Sequence, residues 1–336
     1  MRLSNLVKRR ALNSIVSKIK GSSRISQGYL ICIVGTVIWS FTAIFIRYLT
    51  ENYQLPPLVL AFWRDLFVFL ALGAFFTIFA RSRLRIERQH LGFLLLYGFV
   101  LSVFNSLWTV SVALNGAAVS TVMAYSSAAF TAILAWRFFG EQLGAAKIMA
   151  VVLSLVGCLF VSGAYSPAAW KLNTLGIITG LLSGIAFASY SLMGKLSTHR
   201  QIYPWTVLFY TFGFGALFLL AYNLIPGLLP GAGSPASLFW LGDAWIGWLV
   251  LIALALGPTI GGYGLYTVSL NYLPASVANL IATMEPAFTT ISAYLLLGER
   301  LTAPQLWGSV LIIGGVVLLR VSEGRGSQED SALALS

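Results

Sequence analysis

From Tyr29 to Val321 the chain is an almost unbroken series of apolar segments, each about as long as a bilayer is thick. A hydrocarbon core of about 30 Å takes roughly 20 helical residues to cross. Ten segments meet that length, approximately 29–49, 57–79, 91–114, 117–138, 145–162, 174–195, 203–223, 244–270, 274–297 and 303–321. Charged residues make up 9% of the chain against 58% hydrophobic ones, and the mean hydropathy is +0.85. A soluble domain of 336 residues cannot hide that much apolar surface behind so few charges. The pattern predicts an all-α integral membrane protein of ten transmembrane helices.

The net charge of +11 invites a nucleic-acid reading, but its distribution argues for the lipid bilayer instead. With the N-terminus placed inside, the basic residues collect in the N-terminal tail (Arg2, Lys8, Arg9, Arg10, Lys18, Lys20, Arg24) and the next inner loop (Arg81, Arg83, Arg85, Arg88). Arg137, Lys147, Lys195, Arg200, Arg320 and Arg325 complete the inner set, whereas the outer loops hold only Arg47, Lys171 and Arg300. That is the positive-inside bias of inserted helices, so both termini are expected on the cytoplasmic side. Residues 1–28 carry no acid and place Leu3, Leu6, Val7, Ile15 and Ile19 near helical spacing. They suit a basic amphipathic segment on anionic lipid or, alternatively, an organelle transit peptide. The segment after Val321 is polar and is expected to be disordered. Cys32 and Cys158 both fall inside spans and imply neither a disulfide framework nor a metal site.

The chain is also duplicated. Thr109–Leu143 aligned on Thr267–Leu301, an offset of 158, gives 14 identities in 35 positions without a gap. Both copies end in Gly-Glu-x-Leu, Gly140 to Leu143 and Gly298 to Leu301, and Gly157 falls on Gly315. A weaker pairing sets 39–49 against 187–197 and places Arg47 on Lys195. The chain thus divides into two halves, 29–162 and 174–321. Each holds five spans, and because five is odd the second half starts from the opposite side of the membrane. Inverted repeats of this kind underlie many secondary transporters, since exchanging the conformations of the two halves turns an outward-open state into an inward-open one.

On these residues the chain resembles the drug/metabolite transporter superfamily, specifically its EamA-type ten-helix exporters. The resemblance rests on the two five-helix halves, Trp39, Ser40, Phe41 and Arg47 of the first span, Arg64 of the second, and the run Glu285, Pro286, Gly298, Glu299, Leu301. It covers nearly all of the chain outside the two tails. It implies export of small organic metabolites, amino acids or related amphipathic solutes, across the inner membrane of a bacterium. One departure from internal symmetry stands out: Ser127-Ala128 occupies the place of Glu285-Pro286, so whatever that pair does is done once.

Charges inside the hydrocarbon cost about 3 kcal/mol each on insertion scales and usually face a cavity. Glu285 lies near the middle of the ninth span, beside Pro286, which lacks a backbone donor and is expected to loosen the helix. A carboxylate there suits a cation, proton or amine site; a neutral glutamate bonded to a neighbouring helix is the alternative. Arg64 and Asp65 are adjacent in the second span, where Arg64 either takes a substrate carboxylate or joins Asp65 in packing. Arg47 and Lys195 are expected at opposite mouths of the pathway, or as interfacial anchors. Trp39, Trp108, Tyr125, Tyr190, Tyr263 and Tyr266 lie within spans and are expected in a pocket wall or, alternatively, packed against lipid or other helices. Gly257, Pro258 and Gly261 in the eighth span suggest a hinge or a close-packed face.

Other classes find little support. No P-loop, G-x-S-x-G, H-E-x-x-H or Cys-His cluster occurs, so the sequence implies neither an enzyme nor a cofactor or metal site. The only histidines, His90 and His199, fall in inner loops. A receptor or scaffold that uses the duplication without transporting, or an importer or exchanger of another metabolite, remains the alternative to export.

Overall fold

The computed structural model describes residues 23–115, 117–167, 173–225, 234–297 and 302–333. The predicted spans all appear as helices. They are α1 (Ser23–Tyr53), α2 (Pro57–Phe79), α3 (Arg88–Asn115), α4a (Ala117–Tyr125) with α4b (Ser127–Phe139), and α5 (Ala145–Val161). The second half runs α6 (Thr174–His199), α7 (Pro204–Leu224), α8 (Trp245–Ser269), α9a (Ala275–Ala282) with α9b (Glu285–Leu297), and α10 (Ala303–Leu333). Among the described residues eight helices are long and apolar enough to cross a membrane by length and composition; α5 has 17 residues, and α9 is split. The sequence sets several of these boundaries locally. Pro57 and Pro204 occupy the first turns of α2 and α7, where a missing N–H costs nothing. Asn173 caps α6 by accepting the Leu175 N–H at 2.9 Å.

Helix packing mirrors the duplication. α2 packs on α7, α5 on α10, and α4b on α9a, so three equivalent pairs straddle one pseudo-two-fold axis. The α3–α6 pair has its counterpart in α8 and α1, which meet where Gly35 approaches Leu265. Between α5 and α10 the two backbones themselves approach closely. A methyl on Gly157 would lie 2.6 Å from the Gly308 carbonyl oxygen, and one on Gly308 the same distance from that of Gly157. Only glycine lets two backbones come that near.

Three spans are interrupted by a turn near mid-membrane: α1 at Phe41, α4 at Ser126 and α9 at Thr283–Met284. Each interruption carries a backbone bond three residues back, from Phe41 to Ile38, Ser126 to Met123 and Thr283 to Leu280. A hydroxyl makes the same three-residue return at each: Ser40 to Val37, Ser126 to Met123 and Thr283 to Leu280, at 2.5–2.7 Å. Hydroxyls that compete for helix carbonyls bend helices, although Ser102 and Ser183 do the same in helices that stay whole. α8 is disturbed differently. Residues Ala255–Thr259 form a π-helical turn around Pro258. Pro258 cannot bond the Leu254 carbonyl four residues back, and the Thr259 hydroxyl takes it at 2.8 Å.

Two expectations need correction here. Gly257 belongs to the π-helical turn but not to a close-packed face, since a methyl on it would meet nothing within 4 Å. The close approach to α1 is made by Gly261 and Gly262, against Ile38 and Trp39. The polar segment after Val321, expected to be disordered, continues α10 to Leu333; a helix already nucleated by its packed part extends without a new nucleation cost. Most of the N-terminal basic segment and the second Gly-Glu-x-Leu, at 298–301, lie outside the described residues.

Candidate functional site

A cavity of about 720 Å³ lies between α1, α2, α3, α4a and α9b. It opens at the end of the bundle that carries the α1–α2 connection, where Arg47, Thr50, Glu51 and Pro57 form its rim. Deeper in, Arg64, Asn105, Trp108, Thr109, Glu285, Pro286 and Thr289 line it.

Glu285 is placed there by the break in α9. It is the first residue of α9b, so its carboxylate sits at a helix N-terminus that points into the bundle. Unpaired N–H groups and the helix dipole both favour an anion at that position. Its side-chain partner is neutral: the Tyr125 hydroxyl, at the end of α4a, donates to Oε2. The two broken helices therefore meet at their breaks, one supplying a carboxylate and the other a phenol. Pro286 sits in the first turn of α9b, where proline is tolerated, and α4 breaks at the equivalent place with no proline near. A break at this position thus does not require a proline.

Arg64 lines the cavity, but it is not alone. Its Nε and Nη2 donate to Asp65 Oδ1 at 3.1 and 3.0 Å. Asp65 is fully buried behind it and lies 3.4 Å from Asn105 Nδ2. Arg64 thus faces the cavity, and Asp65 anchors it from the packed side. Arg47 lies at the open mouth as expected, paired with Glu51 at 2.8 Å with both side chains exposed.

The aromatic wall divides. Trp108 lines the cavity and Tyr125 touches Glu285, but Trp39, Tyr190, Tyr263 and Tyr266 are not among the lining residues. They pack on one another instead: Trp39 lies 4.3 Å from Tyr263 and 5.9 Å from Tyr266 between ring centroids, and Tyr190 5.7 Å from Tyr263. Residue type could not reveal this, because helix–helix contacts decide whether an embedded ring faces a cavity or another ring. Lys195 lies at the opposite, closed end of the bundle and outside the cavity lining; its ammonium donates to the Leu270 and Leu273 carbonyls at 2.9 Å each.

Asn279 and Ser191 carry no signal in the sequence. Ser127 donates to Asn279 Oδ1 at 3.0 Å, while Asn279 Nδ2 and the Tyr266 hydroxyl both donate to Ser191 Oγ, at 2.9 and 2.6 Å. This chain of bonds ties α4b, α9a, α6 and α8 together in buried surroundings. Asn105 does have a usable signal, because the offset of 158 sets it on Tyr263, a position singled out among the embedded aromatics.

A bundle of apolar helices built as two inverted halves, with broken helices meeting at a charged cavity, has the architecture of a membrane transporter. The model of the EamA-like transporter family matches the chain twice, over residues 26–163 and 174–321, one match to each half. The chain belongs to the EamA-like transporter family and is a membrane transporter of the drug/metabolite type. An Archaeoglobus fulgidus protein named as an uncharacterized transporter is 27% identical over 85% of this chain and 93% of its own length. A Salmonella typhimurium protein named as a probable amino-acid metabolite efflux pump is 27% identical over 87% of this chain and 94% of its own. A solved crystal structure, 18% identical, shares the fold with a TM-score of 0.68, covering 88% of this chain and 98% of that one.

Proposed function

We propose that the chain exports small organic metabolites, amino acids or related amphipathic solutes, across a bacterial inner membrane by alternating access, with both termini cytoplasmic. The observation that carries this reading is a cavity, open at one end, whose lining includes both a carboxylate, Glu285, and a guanidinium, Arg64. An amino acid offers the complementary pair. Its ammonium would meet Glu285, whose partner Tyr125 is neutral, and its carboxylate would meet the donors of Arg64 that Asp65 leaves over. Trp108 supplies an apolar and cation-attracting surface beside them. The efflux relative supports the cargo class by name. Glu285 also serves as the group that exchanges a proton for the cargo, since a carboxylate held by one neutral hydroxyl can change its charge without breaking an ion pair.

The test is counterflow into proteoliposomes that contain only this protein, preloaded in turn with individual amino acids. Saturable entry of labelled solute, absent from empty vesicles, is the expected result. Folded protein that exchanges neither amino acids nor a broader metabolite extract would favour a receptor or scaffold role instead.

A further inference from the structure

The closed end of the bundle is held at one corner, the connection between α8 and α9a. α8 ends there with unpaired carbonyls, and α9a begins there with unpaired N–H groups. Opposite charges reach both. Lys195 of α6 donates to the carbonyls of Leu270 and Leu273 at 2.9 Å. Glu141, from the α4–α5 connection, accepts the Ala275 N–H at 2.8 Å through Oε1 and the Ser276 hydroxyl through Oε2. Lys147 of α5 completes the group, 2.9 Å from Ser276 Oγ and 3.5 Å from Glu141 Oε2. A cation at a helix C-terminus and an anion at an N-terminus each complement the local dipole, and charge-assisted bonds are the strong ones. Glu141 and Lys147 are only 11% exposed, so salt screens them little. All of α9a is buried behind this corner, and its Ala278 carbonyl lies 3.6 Å from the Cys32 thiol of α1.

We propose that Glu141 and Lys195 form a two-charge clamp on the α8–α9a corner, a gate that seals the cavity's inner end and must release for the cavity to open there. This deepens the alternating-access reading above and rests on it. It also assigns a role to the first Gly-Glu-x-Leu. The left-handed Gly140 (φ +66°) ends α4b and turns the chain so that Glu141 reaches across to the other half.

Cys32 reports the gate without any need for transport, because α9a covers it. In full-length protein in liposomes carrying Cys158→Ala, N-ethylmaleimide labelling of Cys32 is timed for the parent, Glu141→Gln, Lys195→Met and Lys195→Arg. Each charge-removing variant is expected to speed labelling on the order of tenfold, through a larger open population, and Lys195→Arg to stay near the parent rate. Ala216→Cys in a background without native cysteines, buried between α2 and α7, serves as the control and is expected to keep its rate in the clamp variants. Unchanged Cys32 labelling in both charge-removing variants would overturn the clamp. So would an equal rise at the control position, which signals general loosening. Because the readout is independent of flux, a failed counterflow experiment and a failed clamp are told apart.

Discussion

α4 and α9 are copies of one another, and both break at the same place, Ser126 in one and Met284 in the other by the offset of 158. Beyond the break the two helices diverge. α4b begins Ser127-Ala128, with the serine buried and bonded to Asn279 of the opposite half. α9b begins Glu285-Pro286 and faces the cavity. Duplication therefore accounts for the geometry, two interrupted helices crossing at the pseudo-two-fold axis, and divergence accounts for the chemistry, placed on one side only. Proteins that bind at such breaks use the exposed helix ends as well as the side chains. Here one end is taken up by packing and the other is left to the cavity.

The largest effect is expected where that asymmetry is erased. Glu285→Gln keeps the shape of the side chain and removes its titratable proton. Accumulation driven by a pH gradient is expected to fall to the level of empty vesicles, while counterflow, which needs no net proton movement, persists at a reduced rate. Full retention of gradient-driven accumulation would exclude Glu285 as the coupling group. Next comes Arg64→Ala, which strands the fully buried Asp65. Removing one partner of a buried ion pair costs about 3–5 kcal/mol, so a large drop in thermal midpoint is expected. Adding Asp65→Asn should restore most of it. In that stable double variant, solutes bearing a carboxylate should lose affinity more than their amides; equal losses would remove Arg64 from recognition.

Smaller effects test the packing side of the comparison. Ser127→Ala deletes a buried hydrogen bond and leaves Asn279 Oδ1 short of a donor, for a cost of about 1 kcal/mol in stability, with the pH dependence of transport unchanged. A changed pH dependence would mean that the two breaks are less divergent than they look. Pro286→Ala is expected to do least, less than about a twofold change in transport rate, because α4 breaks without a proline. A large effect would restore proline as the cause of the α9 break.

Much of this architecture is legible in the chain, for physical reasons. A bilayer imposes one length on every span, so apolar runs mark the helices, and the offset of 158 exposes the inverted halves. Embedded charge is costly, which makes Arg64 and Glu285 conspicuous, and both line the cavity. Rings and small residues carry no such marker. Trp39, Tyr190, Tyr263 and Tyr266 are as apolar at a helix–helix contact as at a cavity wall, and only the packing places them in the former. Gly257 is deceptive because a glycine reads alike whether a neighbour approaches it or not. Lys195 and Glu141 are visible as residues but not as partners of a helix corner, since that pairing joins positions more than 70 residues apart.

The central claim is that one cavity, lined by Glu285, is reached from the two sides of the membrane in turn. A single cysteine at Thr289, one turn beyond Glu285, tests it directly, with Cys32 and Cys158 replaced by alanine. A membrane-impermeant thiol reagent is applied to vesicles of each orientation, with and without the solute identified by counterflow. The account predicts labelling from the rim side alone at rest, and growing access from the clamped side when solute is cycling. Access from one side only, whatever the solute, would contradict it, and so would simultaneous access from both.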